Sequence, residues 1–328
     1  MRTIRDYELP QSLQKVLKQA KILEWITVIY LLSVVVVMYL TLGSSQAMKS
    51  AWLEDVLSLV PSVAFLISTR INRKSANQEF PYGFHRVFSI SFLAGAVALL
   101  GMGLFLVYDS SMSLIKAEHP TIGSKVFFGQ QVWMGWVMMV ALVYSAVPAM
   151  ILGFKKLPKA EKMHNKLLHT DATAQKADYM TALAAILGIA GVGYGWWWAD
   201  SAAALFISFS VLKDGLTRVK IAALDLMDRY PKNVHDKNDT LIEDIAENVN
   251  SWPWVSEAAV RFREAGQVYF GEVAVVPNRA IELEDLEAGY ETLRNMHWKI
   301  HDFTISPVEE LPAWEKGDAV HKKSEKVS

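Results

Sequence analysis

Cysteine is absent from all 328 residues, which removes disulfides, thiolate metal sites and cysteine nucleophiles together. Charge is scarce as well: 20% of positions are Asp, Glu, Lys or Arg, against about 25% in soluble domains. With a formal net charge of −1 there is no positive excess to attract nucleic acid, and no nucleic-acid partner is expected. Histidine is missing from every long apolar run, so no imidazole is at hand there for acid–base chemistry. The two halves show no sequence repeat. The opening "MRTIRDYELPQSLQKVLKQAK" is too polar, and too long before its apolar run, for a cleaved signal peptide. Residues 1–21 are expected to be a short amphipathic cytoplasmic lead-in.

What the chain has instead is hydrophobic length. Apolar residues make up 52% of it, and mean hydropathy is +0.18. Six runs, near 22–42, 48–69, 86–108, 130–154, 174–194 and 197–218, are long enough to cross about 30 Å of hydrocarbon at roughly 20 residues each. Trp196, Trp197 and Trp198 fall between the last two, where an interfacial aromatic belt sits. Lys and Arg crowd the N-terminus and two alternate loops, one holding Arg70, Arg73, Lys74 and Arg86, the other Lys155, Lys156, Lys159, Lys162 and Lys166. The intervening loops carry few, so both termini are expected in the cytoplasm of a multi-pass cell-membrane protein.

The chain changes character after Asp228. "TLIEDIAENVNSW" has helical periodicity, and "EAAVRFREA" and "QVYFGEVAVV" alternate like strands about a turn at Gly266. "LEDLEAGYETLRNMHWKI" reads as a second helix and "HDFTISPV" as a third strand. The fold class is therefore an α-helical membrane protein with six transmembrane helices, followed by a small cytoplasmic α+β domain of α-β-β-α-β, ferredoxin-like order. The expected divisions are a transport domain at 22–228, the α+β domain at 229–312 and a disordered tail at 313–328.

Ionisable residues inside the apolar runs are few. The second run places Glu54 and Asp55 together, with Ser58 one turn on. The fifth places Asp171 and Asp178 seven residues apart on one helix face, with Gln175 between them. Two facing helices can thus present Asp55 and Asp178, with Glu54, Asp171, Ser58 and Gln175 beside them, as an all-oxygen set suited to a divalent cation. The plainer alternative is that the acids pair with Lys49 or Lys176, or sit at helix ends near water. Depth is an objection. Counted at about 1.5 Å per residue from Arg70 and Trp196, Asp55 and Asp178 miss each other by roughly 19 Å in a slab of about 30 Å. Ends near Leu66 and Ala190 bring both to mid-depth.

Taken in order, "FPYGFHR" (80–86), "DATAQKAD" (171–178), "WAD" (198–200), "LMDRYP" (226–231) and "SWPWV" (251–255) resemble the cation diffusion facilitator family. The resemblance runs from about Leu23 to Pro307. It implies a homodimeric exporter, not an enzyme, that exchanges a cytoplasmic divalent cation for protons by alternating access between spans 2 and 5. The metal is then transported substrate, and no cofactor is expected. The family also sometimes holds a second cation in the loop that here carries His85 and Glu79. The family's other span-2 acid, one turn after Asp55, is replaced by Leu59, and its His or Asp one turn before Asp178 by Ala174. Without imidazole or thiolate the site favours Mn²⁺, Mg²⁺ or another oxygen-seeking cation, with Fe²⁺, Co²⁺ and zinc left open. The missing ligands raise two other readings: a non-transporting membrane scaffold and, with less support, a metal-dependent membrane enzyme.

Overall fold

The computed structural model describes residues 9–127 and 129–312, with the side chains of 127, 176 and 177 outside the description. The first eight residues of the expected lead-in and the expected tail from 313 onward lie outside the described residues. Among the described residues the chain divides into two compact units: 11–74 with 87–224, and 9–10 and 75–86 with 225–312.

The first unit is built from long helices: α1 (Gln11–Thr41), α2 (Gln46–Ile71), α3 (Val87–Ile115), α4 (Met134–Lys162), α5 (Lys166–Gly193) and α6 (Ala199–Leu226). Among the described residues, α1 to α4 are long and apolar enough to cross a membrane. Several boundaries differ from the hydropathy reading. α1 begins at Gln11, so residues 11–21 of the expected lead-in continue the first span as one helix. α4 runs eight residues past Phe154, and α5 starts eight before Ala174, because good helix formers extend both beyond their apolar stretches. Residues 130–133, expected at the head of a span, form instead strand β2 (Gln130–Trp133), paired antiparallel with β1 (Ser124–Phe127).

Local chemistry fixes the helix ends. Ser45 caps α2, accepting from the Met48 amide at 3.0 Å. Asp200, fully buried at the head of α6, accepts from Ser45 Oγ at 2.6 Å and from the Gln46 amide at 2.5 Å. Standing at the head of α6, Asp200 thus caps a neighbouring helix rather than its own. Asn165 caps α5 through the Leu168 amide at 2.8 Å.

α3 and α6 meet along a seam of small residues. Ser110 faces Ser208 at 3.3 Å and Ser113 faces Ser201 at 3.1 Å. Farther along, a Cβ on Gly103 would lie 2.7 Å from the Leu212 Cα, and one on Gly215 would lie 2.7 Å from the Leu100 Cα. The backbones approach this closely only because neither position carries a side chain. Gly103→Val should therefore destabilise the unit by about 1–3 kcal/mol through overpacking. The check is a lowered melting temperature in detergent, and an unchanged one would refute the close approach.

The second unit contains α7 (Leu241–Asn250), β3 (Val255–Ala265), β4 (Val268–Pro277), α8 (Leu283–Met296) and β5 (Ile300–Pro307), the order read from the sequence. β3 and β4 form a hairpin that turns at Gly266, whose φ is +69°. β5 returns parallel to β4, so the sheet order is β3-β4-β5. Ile245 and Val249 of α7 and Leu293 of α8 pack on Tyr269, Val273 and Phe303 of the sheet. Asp239, before α7, accepts from Tyr269 at 2.5 Å and from Lys299 at 2.6 Å. Despite partial burial, those two bonds hold its carboxyl down at about 2.

Candidate functional site

Two observations set the register of α2 against α5. Ser62 Oγ donates to Asp171 Oδ1 at 3.3 Å, and Glu54 and Thr181 line one cavity. Numbers fall along α2 as they rise along α5, so the helices run antiparallel. Counting seven residues from Ser62 back to Asp55, and seven from Asp171 on to Asp178, brings both acids to one level. The same count sets Ser58 opposite Gln175. The depth objection raised above is thereby answered by register rather than by trimming the spans.

Between α2, α3, α5 and α6 lies a cavity of about 130 Å³. Glu54 and Ser58 line it from α2, Asp171, Ala174 and Asp178 from α5, and Asp214 and Arg218 from α6. Asp214 and Arg218, one turn apart, form an ion pair at 3.5 Å; no sequence argument above had singled them out. Glu54 Oε2, Asp178 Oδ2 and Gln175 Oε1 are buried and accept no hydrogen bond among the described residues. Buried carboxylate oxygens lacking donors are the condition a metal relieves, since a hard cation takes oxygen lone pairs.

The candidate ligands are not brought together as one set. Asp55 does not line the cavity. Adjacent residues on a helix point about 100° apart, and Glu54 takes the inward direction. Asp55 is buried toward α4, where Ser145 Oγ lies 2.9 Å from each of its carboxylate oxygens. It remains within electrostatic reach of Asp178, as do Glu54 and Asp171. Gln175, also fully buried, donates to both oxygens of Asp171 at 3.2 Å. Ser58 Oγ donates to the Glu54 carbonyl at 3.0 Å, leaving its oxygen lone pairs for the cavity.

Asp171 has the company of two groups that the sequence did not mark. Lys156 Nζ donates to Asp171 Oδ2 at 2.6 Å and to Glu24 Oε2 at 2.9 Å, with all three side chains 0–1% exposed. Removing one partner from a buried ion cluster of this kind costs about 3–5 kcal/mol, because a charge is left unpaired. Lys156 stands among the orienting loop lysines only if α4 ends with its apolar run, and Glu24 sits just inside the first run. Of the partners proposed for the acids, Lys49 pairs with Asp109 at 2.7 Å, and the Lys176 side chain lies outside the description.

The loop candidates fall in the other unit. His85 is buried, with its Nε2 3.2 Å from His301 Nε2 and its ring against Phe270. Glu79 is exposed. Burial, and then the neighbouring His301, lower the His85 imidazole from 6.5 to about 3. Since the unfolded chain takes up that proton first, the contribution is intact above pH 6.5 and is lost as pH falls toward 3. His85→Phe should therefore flatten the fall of melting temperature between pH 6.5 and pH 4; an identical slope would refute the buried neutral ring.

Comparison with known proteins bears on the same region. Residues 22–227 match the cation efflux transmembrane domain. A manganese efflux system protein, MneS of Bacillus subtilis (strain 168), is 24% identical over 189 residues, 57% of this chain and 60% of that protein. The chain thus spans less than two thirds of that relative's length. The cation-efflux pump FieF of Salmonella arizonae is 25% identical over 242 residues, 74% of this chain and 73% of FieF. FieF of Salmonella newport matches to the same extent.

Proposed function

Because the chain belongs to the cation efflux family, whose members carry metal as transported substrate and are not enzymes, we propose that it exports one divalent ion in exchange for protons by alternating access at the Glu54–Asp178 cavity. The supporting observation is the pair of buried carboxylate oxygens, Glu54 Oε2 and Asp178 Oδ2, facing no donor among the described residues. Ser58 supplies a neutral oxygen on the wall, and Asp55, level with Asp178, adds negative charge from behind. The scaffold reading raised by Leu59 and Ala174 is not favoured, since the relatives are efflux transporters.

The topology belongs to the same reading. At about 1.5 Å per residue, the 28 residues of α5 and of α6 each reach about 42 Å, enough to cross hydrocarbon. Asp171 and Asp178 of α5 and Asp214 and Arg218 of α6 line the cavity, and such charges lower hydropathy without forbidding a span. Six spans, with Lys and Arg concentrated at the N-terminus and in two alternate loops, put both termini in the cytoplasm. On this reading residues 22–228 transport, and the α+β domain of 229–312 joins two copies as a homodimer.

The donor set bears on the metal. Every candidate ligand is an oxygen, which suits Mn²⁺ or Mg²⁺ better than zinc; one relative is named for manganese. Only deprotonated carboxylates bind the ion, so loading expels protons and unloading takes them up. The reading is tested in proteoliposomes, by metal uptake from a divalent panel with and without a pH gradient. Flux that follows the gradient is the expected result; no flux for any divalent ion would overturn it.

A further inference from the structure

The buried cluster of Glu24, Lys156 and Asp171 has no part in that reading, yet Asp171 lines the same cavity. The two kinds of carboxylate on its wall differ sharply. Both oxygens of Asp171 are filled, by Lys156 Nζ at 2.6 Å, by Gln175 Nε2 at 3.2 Å to each, and by Ser62 Oγ at 3.3 Å. Glu54 Oε2 and Asp178 Oδ2 have no donor among the described residues. A carboxylate saturated by an ammonium and an amide must shed those donors before it ligates a metal. An ammonium on its own side chain can neither leave nor be carried.

We propose that Lys156 is a specificity-determining residue of the cavity, a tethered cation that withholds Asp171 from the cargo and leaves Glu54 and Asp178 as its carboxylate ligands. This rests on the reading of that cavity as the cation site. Its consequence lies in affinity: oxygen-lined sites are tuned over decades by the number of charged ligands. Two free carboxylates bind a divalent ion loosely enough to release it, and a third would hold it.

The test is calorimetric binding of Mn²⁺ alone to the purified full chain. Glu24→Gln with Lys156→Met removes one charge of each sign, so the net charge of the cluster is unchanged while Asp171 is freed. The Mn²⁺ Kd should tighten by about tenfold or more, and adding Asp171→Asn should abolish the gain. Lys156→Arg, which still fills Asp171, should bind like the unaltered protein. Asp171→Asn alone leaves Lys156 with Glu24 and is least disruptive to folding; its Kd should stay within about threefold. A tenfold loss in that variant would make Asp171 a ligand and overturn the proposal. So would an unchanged Kd in the double variant together with a lowered melting temperature, since the cluster would then be structural only. An unaltered protein that binds no divalent ion overturns the reading of the cavity itself, and this proposal with it.

Discussion

Asp178→Asn and Glu54→Gln should each reduce gradient-driven metal flux by about a hundredfold or more, with Asp55→Asn costing distinctly less. Loss of a group that merely supports a metal ligand already lowers affinity or activity by about 10–100-fold, and these two are the candidate ligands themselves. The amides keep the volume of the acids, so packing around the 130 Å³ cavity is preserved. What changes is one negative charge and one lone-pair oxygen, replaced by an N–H donor that repels a cation. Asp55 differs because Ser145 already engages both of its oxygens, and its influence reaches the cavity as a field. Initial-rate uptake over a metal concentration series separates the cases: the cavity acids should lose maximal rate, and Asp55 should mainly raise KM. Equal losses in all three variants would assign Asp55 to the cavity and contradict the geometry.

Ala174→His should shift the metal preference by about tenfold or more toward zinc over manganese. Ala174 stands on the cavity wall between Asp171 and Asp178, one turn before the latter. An imidazole there adds a nitrogen ligand to an otherwise oxygen-only set, and nitrogen donors favour zinc where oxygen donors alone favour manganese and magnesium. Competition between the two ions, in binding and in uptake, reads the effect as a ratio and is insensitive to expression level. A ratio unchanged from the unaltered protein would place the cargo away from Ala174, and with it away from Asp178.

The pairing of the second and fifth apolar runs is legible in the sequence because acids in hydrocarbon are rare enough to stand out. Their level is not, since distance to a loop charge measures depth only if the helix ends there. The antiparallel register carried by Ser62 and Asp171 gives what counting from Arg70 cannot. Choosing between Glu54 and Asp55 is likewise beyond the sequence: neighbours on a helix differ by direction, and direction is set by what packs against them. Lys156 is missed for a third reason. It lies just past the apolar run, where a lysine counts toward orientation, yet α4 continues to Lys162 and buries it completely. The α+β unit is recovered in its element order because helical and alternating periodicities follow one another cleanly along it, with Gly266 marking the hairpin turn. The β1–β2 hairpin is not, because "QQVW" runs without a break into an apolar helix.

The bond network at Asp200 has a mechanical consequence. Its carboxylate grips the first turn of α2 through Ser45 and the Gln46 amide while itself standing at the start of α6. These two helix ends are therefore riveted together. If one helix swings relative to the other, the rivet is the fulcrum, and the amplitude grows toward the far ends. The cavity acids lie partway along that lever, so a tilt of a few degrees at Asp200 shifts Glu54 by about a third of what it shifts Arg70.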